Sequence, residues 1–327
     1  MLSVPYSRMI FGLVPWYSFL IVLGAACAVF IATKEEKRAG LPKDSVIDFA
    51  LIALPCGIIG ARIYYVVFSW SQFKDDLISI VRIWEGGIAI YGAVIAGLLA
   101  AWVFCKKRKI SFLALCDIIA PGLILAQALG RWGNYFNQEA YGLPITNPAL
   151  CFFPFGVQIQ GESGLEWHMA TFFYESLWNF FVFIFLMIAR RKWFRYRGDV
   201  FCFYVFLYAC GRMIVEDFRM DSLYASSSIR ISQLLSVIVC LFLLIRYAGI
   251  FRASAQFRSF FTFFPLLLAV LTDLLSAVWL SGLLHTDYSV LIRFLLLASC
   301  SAVNIVSFFI LYGRCSEGDL IYADIKN

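Results

Sequence analysis

Nine stretches of about 20 predominantly apolar residues follow one another along this chain, and no other feature of the sequence restricts its fold so strongly. They lie at about 10–33, 47–68, 86–105, 111–130, 170–189, 198–216 and 231–250, with two more at about 259–282 and 288–312. A run of that length crosses a hydrocarbon core about 30 Å thick as a helix. In lipid each backbone N–H and C=O needs a partner within its own segment, so each run is expected to be helical. The expected fold class is all-α: a polytopic membrane helix bundle with a seven-span core (residues 1–252) and a C-terminal extension (253–327) holding two further spans. Composition closes off the soluble alternative. Hydrophobic residues make up 62% of the chain and charged residues 15%, against about 25% charged in a soluble domain. Cytosolic enzymes and nucleic-acid binders are excluded on that ground despite a net charge of +6.

The charges indicate an orientation. Lys34, Lys37, Arg38 and Lys43 follow the first run, Lys106, Lys107, Arg108 and Lys109 the third, Arg190, Arg191, Lys192, Arg195 and Arg197 the fifth, and Arg246, Arg252 and Arg258 the seventh. These connections, with Arg314 and Lys326, hold most of the 27 basic residues. Basic loops stay in the cytoplasm, so the N-terminus is expected outside and the C-terminus inside. The ten cysteines are scattered without a CxxC pair, and only His168 and His285 are present. Clustered thiols or several histidines would be needed for a disulfide framework or zinc site, so no metal site is expected.

The other side of the predicted bundle is unlike a passive membrane protein. Arg62 ends the second run, Arg131, Asn134, Asn137 and Glu139 crowd the end of the fourth, Tyr174 and Glu175 open the fifth, and Arg212, Glu216 and Arg219 close the sixth. A charge at lipid level is costly and ordinarily faces a polar cavity or a partner. Arg212, Glu216 and Arg219 are spaced i, i+4, i+7, which puts them on one helix face, and Arg131, Asn134 and Gln138 do the same if that stretch is helical. A guanidinium fork matches phosphate oxygens bidentately. Arginines interleaved with carboxylates at an outward, lipid-level cavity suggest a pocket for an anionic phospholipid headgroup. A lipid-modifying enzyme uses both signs of charge; an anion channel gains little from Glu139 and Glu216.

The segment Arg131-Trp132-Gly133-Asn134-Tyr135-Phe136-Asn137-Gln138-Glu139-Ala140-Tyr141-Gly142 resembles the signature of the prolipoprotein diacylglyceryl transferase family. Trp16-Tyr17, Gly60–Tyr65, Trp84–Gly92, Asp117–Pro121, Thr171–Ser176, Gly211–Arg219 and Ser232-Gln233 follow the family's order, and the resemblance covers about residues 10–250. It implies a multi-pass enzyme of the bacterial plasma membrane. Such an enzyme moves the diacylglyceryl group of phosphatidylglycerol to the lipobox cysteine thiol in the signal peptide of a prolipoprotein. The product is a thioether, glycerol phosphate leaves, and no metal or organic cofactor is implied. The partners implied are phosphatidylglycerol, the lipobox signal peptide and the surrounding membrane lipids.

By the same resemblance Arg131 and Arg212 bind the phosphate and leaving group. Asn134 and Glu139 orient headgroup hydroxyls or the arginine forks, and Glu216 pairs with Arg212. Tyr17 donates a hydrogen bond at the headgroup, and Gly142 leaves the backbone room. Arg219 and Arg62 join the expected substrate-binding set. Many family members carry His where this chain has Tyr91, as a candidate base. A phenol with a pKa of about 10 is a poor base at neutral pH, so either the thiol is activated electrostatically or Tyr91 orients. A His-Pro pair often precedes the Thr171 segment; here Met169-Ala170 stands there, and His168 is expected to be a loop histidine near the membrane surface. The extension lacks a counterpart in the family, and its removal is expected to leave transfer measurable. Two alternatives remain: a phospholipid-headgroup transferase or hydrolase without a peptide acceptor, which keeps the arginine pocket, and an anion transporter, against which stand the lack of a repeat between halves and the clustering of the charges at one face.

Overall fold

The computed structural model describes residues 7–161, 164–194, 196–223, 230–253, 271 and 290–315. The chain divides into two compact units, one comprising Met1–Ala25 and Leu123–Asn327, the other Ala26–Gly122. The long elements are helices: α1 (Trp16–Glu35), α2 (Ser45–Phe68), α3 (Ile90–Arg108), α4 (Phe112–Asn137), α5 (Thr171–Lys192), α6 (Asp199–Phe218), α7 (Ile231–Ala253) and α8 (Val290–Cys315). Among the described residues six helices are long and apolar enough to cross a membrane: α1 to α5, and α8 over Ile292–Gly313. The expected polytopic α-helical membrane fold is therefore observed. The run at about 259–282 falls almost wholly outside the described residues.

α6 is not among those six, although it matches the run expected at 198–216 and has 20 residues. It carries Asp199, Arg212, Glu216 and Asp217, and most of its residues are buried. It packs against α5, α7 and α8, so its charges face protein partners where a lone span would turn them to lipid. α1 starts later than its run because residues 9–15 form a small hairpin, β1 (Met9–Ile10) with β2 (Val14–Pro15). α3 also starts late: Gly86 and Gly87 have φ of +92° and +75°, which a right-handed helix does not allow.

In the unit Ala26–Gly122, α2 and α3 meet at a glycine crossing. A Cβ on Gly60 would strike Ala96 and the Gly92 carbonyl, and one on Gly92 would strike the Gly60 carbonyl. Small residues at such a crossing let helix backbones touch in lipid, where packing replaces the hydrophobic drive. One end of the unit is filled by Ala32, Leu41, Val46, Ala101, Phe104, Leu115 and Ile118.

In the other unit the segment between α4 and α5 folds into a second hairpin, β3 (Gly156–Gly161) with β4 (Gly164–Met169), in antiparallel register Val157↔His168 and Ile159↔Glu166. Val157 and Ile159 point inward onto Tyr135, Ala170 and Phe172. The hairpin is a departure from the all-helical expectation. Two bridges, Gly142↔Arg219 and Pro144↔His168, tie the chain between α4 and β3 to the end of α6 and to β4.

Candidate active site

Four helices bring their polar ends to one place within the first unit. Arg131 sits near the C-terminal end of α4, Glu175 in the first turns of α5, Arg212 and Glu216 near the C-terminal end of α6, and Ser232 at the start of α7. Local stitches set the heights of these helices. The Ser176 hydroxyl donates to the Ala128 carbonyl at 2.8 Å, which fixes α5 on α4. The Trp178 indole donates to the Leu207 carbonyl at 2.9 Å, fixing α5 on α6. Its ring fits only because residue 211 is glycine, since a Cβ there would overlap the indole. The Gln233 amide donates to the Met213 carbonyl at 3.1 Å and fixes α7 on α6. Each stitch is next to a charged group of the cluster.

Glu175 is the hub. One of its oxygens, Oε1, takes Arg131 Nη2 at 2.6 Å, and Oε2 takes Arg212 Nη1 at 2.9 Å. The Tyr208 hydroxyl donates to Oε1 at 3.4 Å. Arg212 Nη2 pairs closely with Glu216 Oε2 without hydrogen-bond alignment and reaches Ser232 Oγ at 3.5 Å. The carboxylates are deeply buried, with 2% of each side chain exposed, whereas Arg131 and Arg212 keep 20% and 13%. The arginines are thus the accessible layer, and the carboxylates hold them from behind. A buried pair of this kind stabilises little when intact, but removing one partner costs about 3–5 kcal/mol. The geometry offers two fixed guanidinium groups to an anion arriving from the polar side.

Glu139 stands at the exposed edge, just past α4. Asn134 and Asn137 both donate to its Oε1, at 3.0 and 3.2 Å. Tyr17, in the first turn of α1, lays its ring on Gly133, where a Cβ would approach Tyr17 Cδ2 to 2.5 Å. Its hydroxyl feels the charges of Glu139 and Arg131. Tyr17, Arg131, Asn134, Glu139, Arg212 and Glu216 therefore belong to one neighbourhood.

Several expected placements are corrected. α6 ends at Phe218, and Arg219 is extended, with φ −79° and ψ 141°. It therefore leaves the face of Arg212 and Glu216, and it binds Asp221 through two bonds of 3.0 and 2.9 Å. Burial pushes the Asp221 carboxyl up, but those bonds outweigh it and hold the group below the usual carboxylate range. Gln138 likewise leaves the face of Arg131 because the chain turns to φ 55° there; its amide serves Gln158 and Gln160 in β3. At Gly142 the missing side chain makes the room the backbone uses: a Cβ would meet Thr171 Cγ2 at 2.7 Å, Met169 Cβ at 2.8 Å and the Phe218 carbonyl at 3.0 Å. Its smallness serves packing of the hairpin against α5 and α6. His168 is buried on β4, not in a surface loop, with Nδ1 2.8 Å from the Gly142 carbonyl.

Arg62 and Tyr91 lie in the second unit, and the cluster around Glu175 is built without them. The donors of Arg62 go to backbone carbonyls, Ser79 at 2.6 Å, Ile80 at 2.8 Å, Gly86 at 2.5 Å, Gly87 at 2.8 Å and Arg82 at 3.5 Å. That engages its whole fork. Arg62 clasps the 79–87 loop. Gly87 has no Cβ because one would lie 2.6 Å from Arg62 Nη1. Tyr91 opens α3 with its ring 6.4 Å from that of Tyr64.

Two members of the cluster were not singled out from sequence. Glu175 was visible as a carboxylate opening the fifth run, but its role as a bridge exists only once α4 and α6 flank α5. Tyr208 precedes Arg212 by four residues on α6, so helical periodicity puts it on the same face one turn deeper. That spacing was the available signal.

Sequence comparisons identify the chain's relatives. The family description "Prolipoprotein diacylglyceryl transferase" matches residues 8–248. Phosphatidylglycerol–prolipoprotein diacylglyceryl transferase of Streptococcus agalactiae is 42% identical over 247 residues, covering 75% of this chain and 94% of that protein. Its counterpart in Streptococcus suis is 44% identical over 227 residues, covering 69% and 84%. That of Halalkalibacterium halodurans is 41% identical over 242 residues, covering 72% and 83%. The matched span contains both arginines, both buried carboxylates and the glycines that let their helices approach, and on it the chain belongs to the prolipoprotein diacylglyceryl transferase family.

Proposed function

We propose that the Glu175-centred cluster performs the family's reaction, with Arg131 and Arg212 binding the phosphate of phosphatidylglycerol. The enzyme transfers the diacylglyceryl group to a prolipoprotein. In this reading the cysteine sulfur attacks the glycerol carbon that bears the phosphate. The carbon–sulfur bond forms as the carbon–oxygen bond breaks, and the electron pair leaves on the phosphate oxygen as glycerol phosphate. The thiol's proton passes to solvent, the thiolate so formed is the nucleophile, and glycerol phosphate leaves as the anion. The two guanidinium groups meet the charge that develops on the leaving oxygen, the place where a preorganised donor contributes most. Glu175 and Glu216 hold the forks so that little reorganisation is needed, and Glu139 with Asn134 orients the glycerol hydroxyls at the exposed edge. The observation that carries this reading is the pair of accessible arginines bridged from behind by one buried carboxylate.

The test is incubation of the purified protein with phosphatidylglycerol and a lipobox peptide, followed by mass spectrometry. The peptide is expected to gain one diacylglyceryl group and to keep it in neutral hydroxylamine, since a thioether resists that reagent. A hydroxylamine-labile adduct would mean acyl transfer, and release of headgroup with no peptide adduct would mean a hydrolase.

The same reading puts the cluster on the outer side of the bacterial plasma membrane, with the N-terminus outside and the C-terminus in the cytoplasm. It is supported by the basic residues at the far end of α5, Arg190 to Lys192, and by the basic connections after the first, third and seventh apolar runs. With native thiols replaced, single cysteines at positions 38 and 107 are expected to resist a membrane-impermeant thiol reagent in intact cells, while one at Trp84, 77% exposed, reacts. The reverse pattern would invert the topology.

A further inference from the structure

The family match ends at residue 248, yet a helix beyond it is built into the core of the site-bearing unit. α8 lies antiparallel along the full length of α6. Near its start, Arg293 donates to Asp217 Oδ2 through Nε at 2.9 Å and Nη2 at 2.6 Å, and to the Asp217 carbonyl at 3.2 Å. At mid-length the Ser301 hydroxyl donates to the Cys210 carbonyl at 3.4 Å. Further along, Phe308 stacks on Phe206 with ring centroids 4.0 Å apart. Near its end the Tyr312 hydroxyl donates to Asp199 Oδ2 at 2.7 Å.

α7 repeats this pattern. Arg230, just before it, donates to Asp217 Oδ1 at 3.5 Å and to the Glu216 carbonyl. Tyr247 donates to Asp199 Oδ1 at 2.9 Å. Asp199 at one end of α6 and Asp217 at the other are therefore each bound from α8 and from α7 or the residue just before it. A helix pinned at both ends resists sliding along its axis. The helix so pinned carries Arg212 and Glu216, and Asp217 directly follows Glu216.

We infer that α8 is the brace that sets the axial position of α6, and that Arg293 is a positioning residue for Arg212 and Glu216. The inference rests on the reading that Arg212 serves transfer. It adds a geometric role to an extension whose removal is expected to leave transfer measurable at some cost in folding. A displacement of about 1 Å in a reacting group is enough to cost about a hundredfold in rate. α8 thus acts on turnover through geometry, without touching the donor.

The test uses the full-length protein in the peptide-lipidation assay, well below the unfolding midpoint of every variant. Arg293→Ala is expected to lower kcat by about ten- to a hundredfold with KM for phosphatidylglycerol near the wild-type value. Arg293→Lys is expected to recover part of the loss, because it keeps the charge and loses the fork. A purely structural role predicts a lower yield of folded protein with unchanged kcat per folded molecule. Wild-type kcat in folded Arg293→Ala overturns the inference. If that variant does not accumulate, Arg293→Lys and Tyr312→Phe decide: reduced kcat supports the brace and wild-type kcat overturns it. Failure of the functional reading is seen separately, as wild-type protein that forms no peptide adduct.

Discussion

Arg131→Ala and Arg212→Ala are each expected to slow peptide lipidation by about 10²–10³, the scale for removing one preorganised donor to a developing oxyanion. Both guanidinium groups sit at the accessible layer of the cluster, with Glu175 bridging them. An alanine at either position removes the fork and leaves a hole that water fills only in part. Lysine is expected to restore a fraction of the rate, because one ammonium supplies charge without the planar pair of donors. The loss should appear in kcat at saturating phosphatidylglycerol, with folding checked by thermal unfolding. Arg38, exposed and paired with Glu35, is the comparator and should tolerate alanine. Arg230 is unsuitable for that purpose, since it holds the Glu216 carbonyl and Asp217. Near-wild-type turnover in folded Arg131→Ala and Arg212→Ala would remove the phosphate clamp as a mechanism.

Glu175→Ala has the largest expected effect on stability. The side chain is 2% exposed and receives Arg131, Arg212 and Tyr208. Its loss leaves two guanidinium groups facing each other with no shared counter-charge, at a cost of about 3–5 kcal/mol. Transfer should fall with it, because the two like-charged forks repel and leave the positions in which Glu175 holds them. Glu175→Gln keeps the volume and one acceptor oxygen, and is expected to fall between wild type and alanine in both thermal midpoint and rate. A Glu175→Ala protein as stable and as active as wild type would show that the arginines are held by other contacts.

What could be read from the sequence follows the physics of each element. Long apolar runs announce spans because lipid leaves the backbone no alternative to a helix, and α2, α4 and α5 lie close to where the runs put them. α6 was legible for the same reason, although its four ionisable residues mask it from a test of apolarity alone. Helix ends were less legible. The i, i+7 relation of Arg212 to Arg219 failed because the helix stops at Phe218, and no apolar pattern marks that stop. The β3–β4 hairpin carried its signal in plain form, Val157 and Ile159 alternating with Gln158 and Gln160, but a strand of this length weighs little beside spans of about 20 residues. The arginines stood out because charge at lipid level is costly. Their bridging carboxylate did not stand apart from the other acids, because a bridge depends on which helices become neighbours. Arg62 shows the converse: a charge conspicuous in the sequence, whose fork closes a loop of its own unit.

The sign balance of the site has a consequence for how reactants reach it. Among the groups described, Arg131, Arg212, Arg219, Arg230 and Arg293 stand against Glu139, Glu175, Glu216, Asp217 and Asp221. These formal charges cancel, so the field of the group falls off faster than that of a net charge and attracts no free anion from a distance. Inorganic phosphate in the medium gains no electrostatic steering. A phosphate carried on two acyl chains does not need it, because lateral diffusion in a sheet about 30 Å thick keeps it at a high effective concentration beside the arginines. The bilayer, in place of bulk charge, acts as the delivery system.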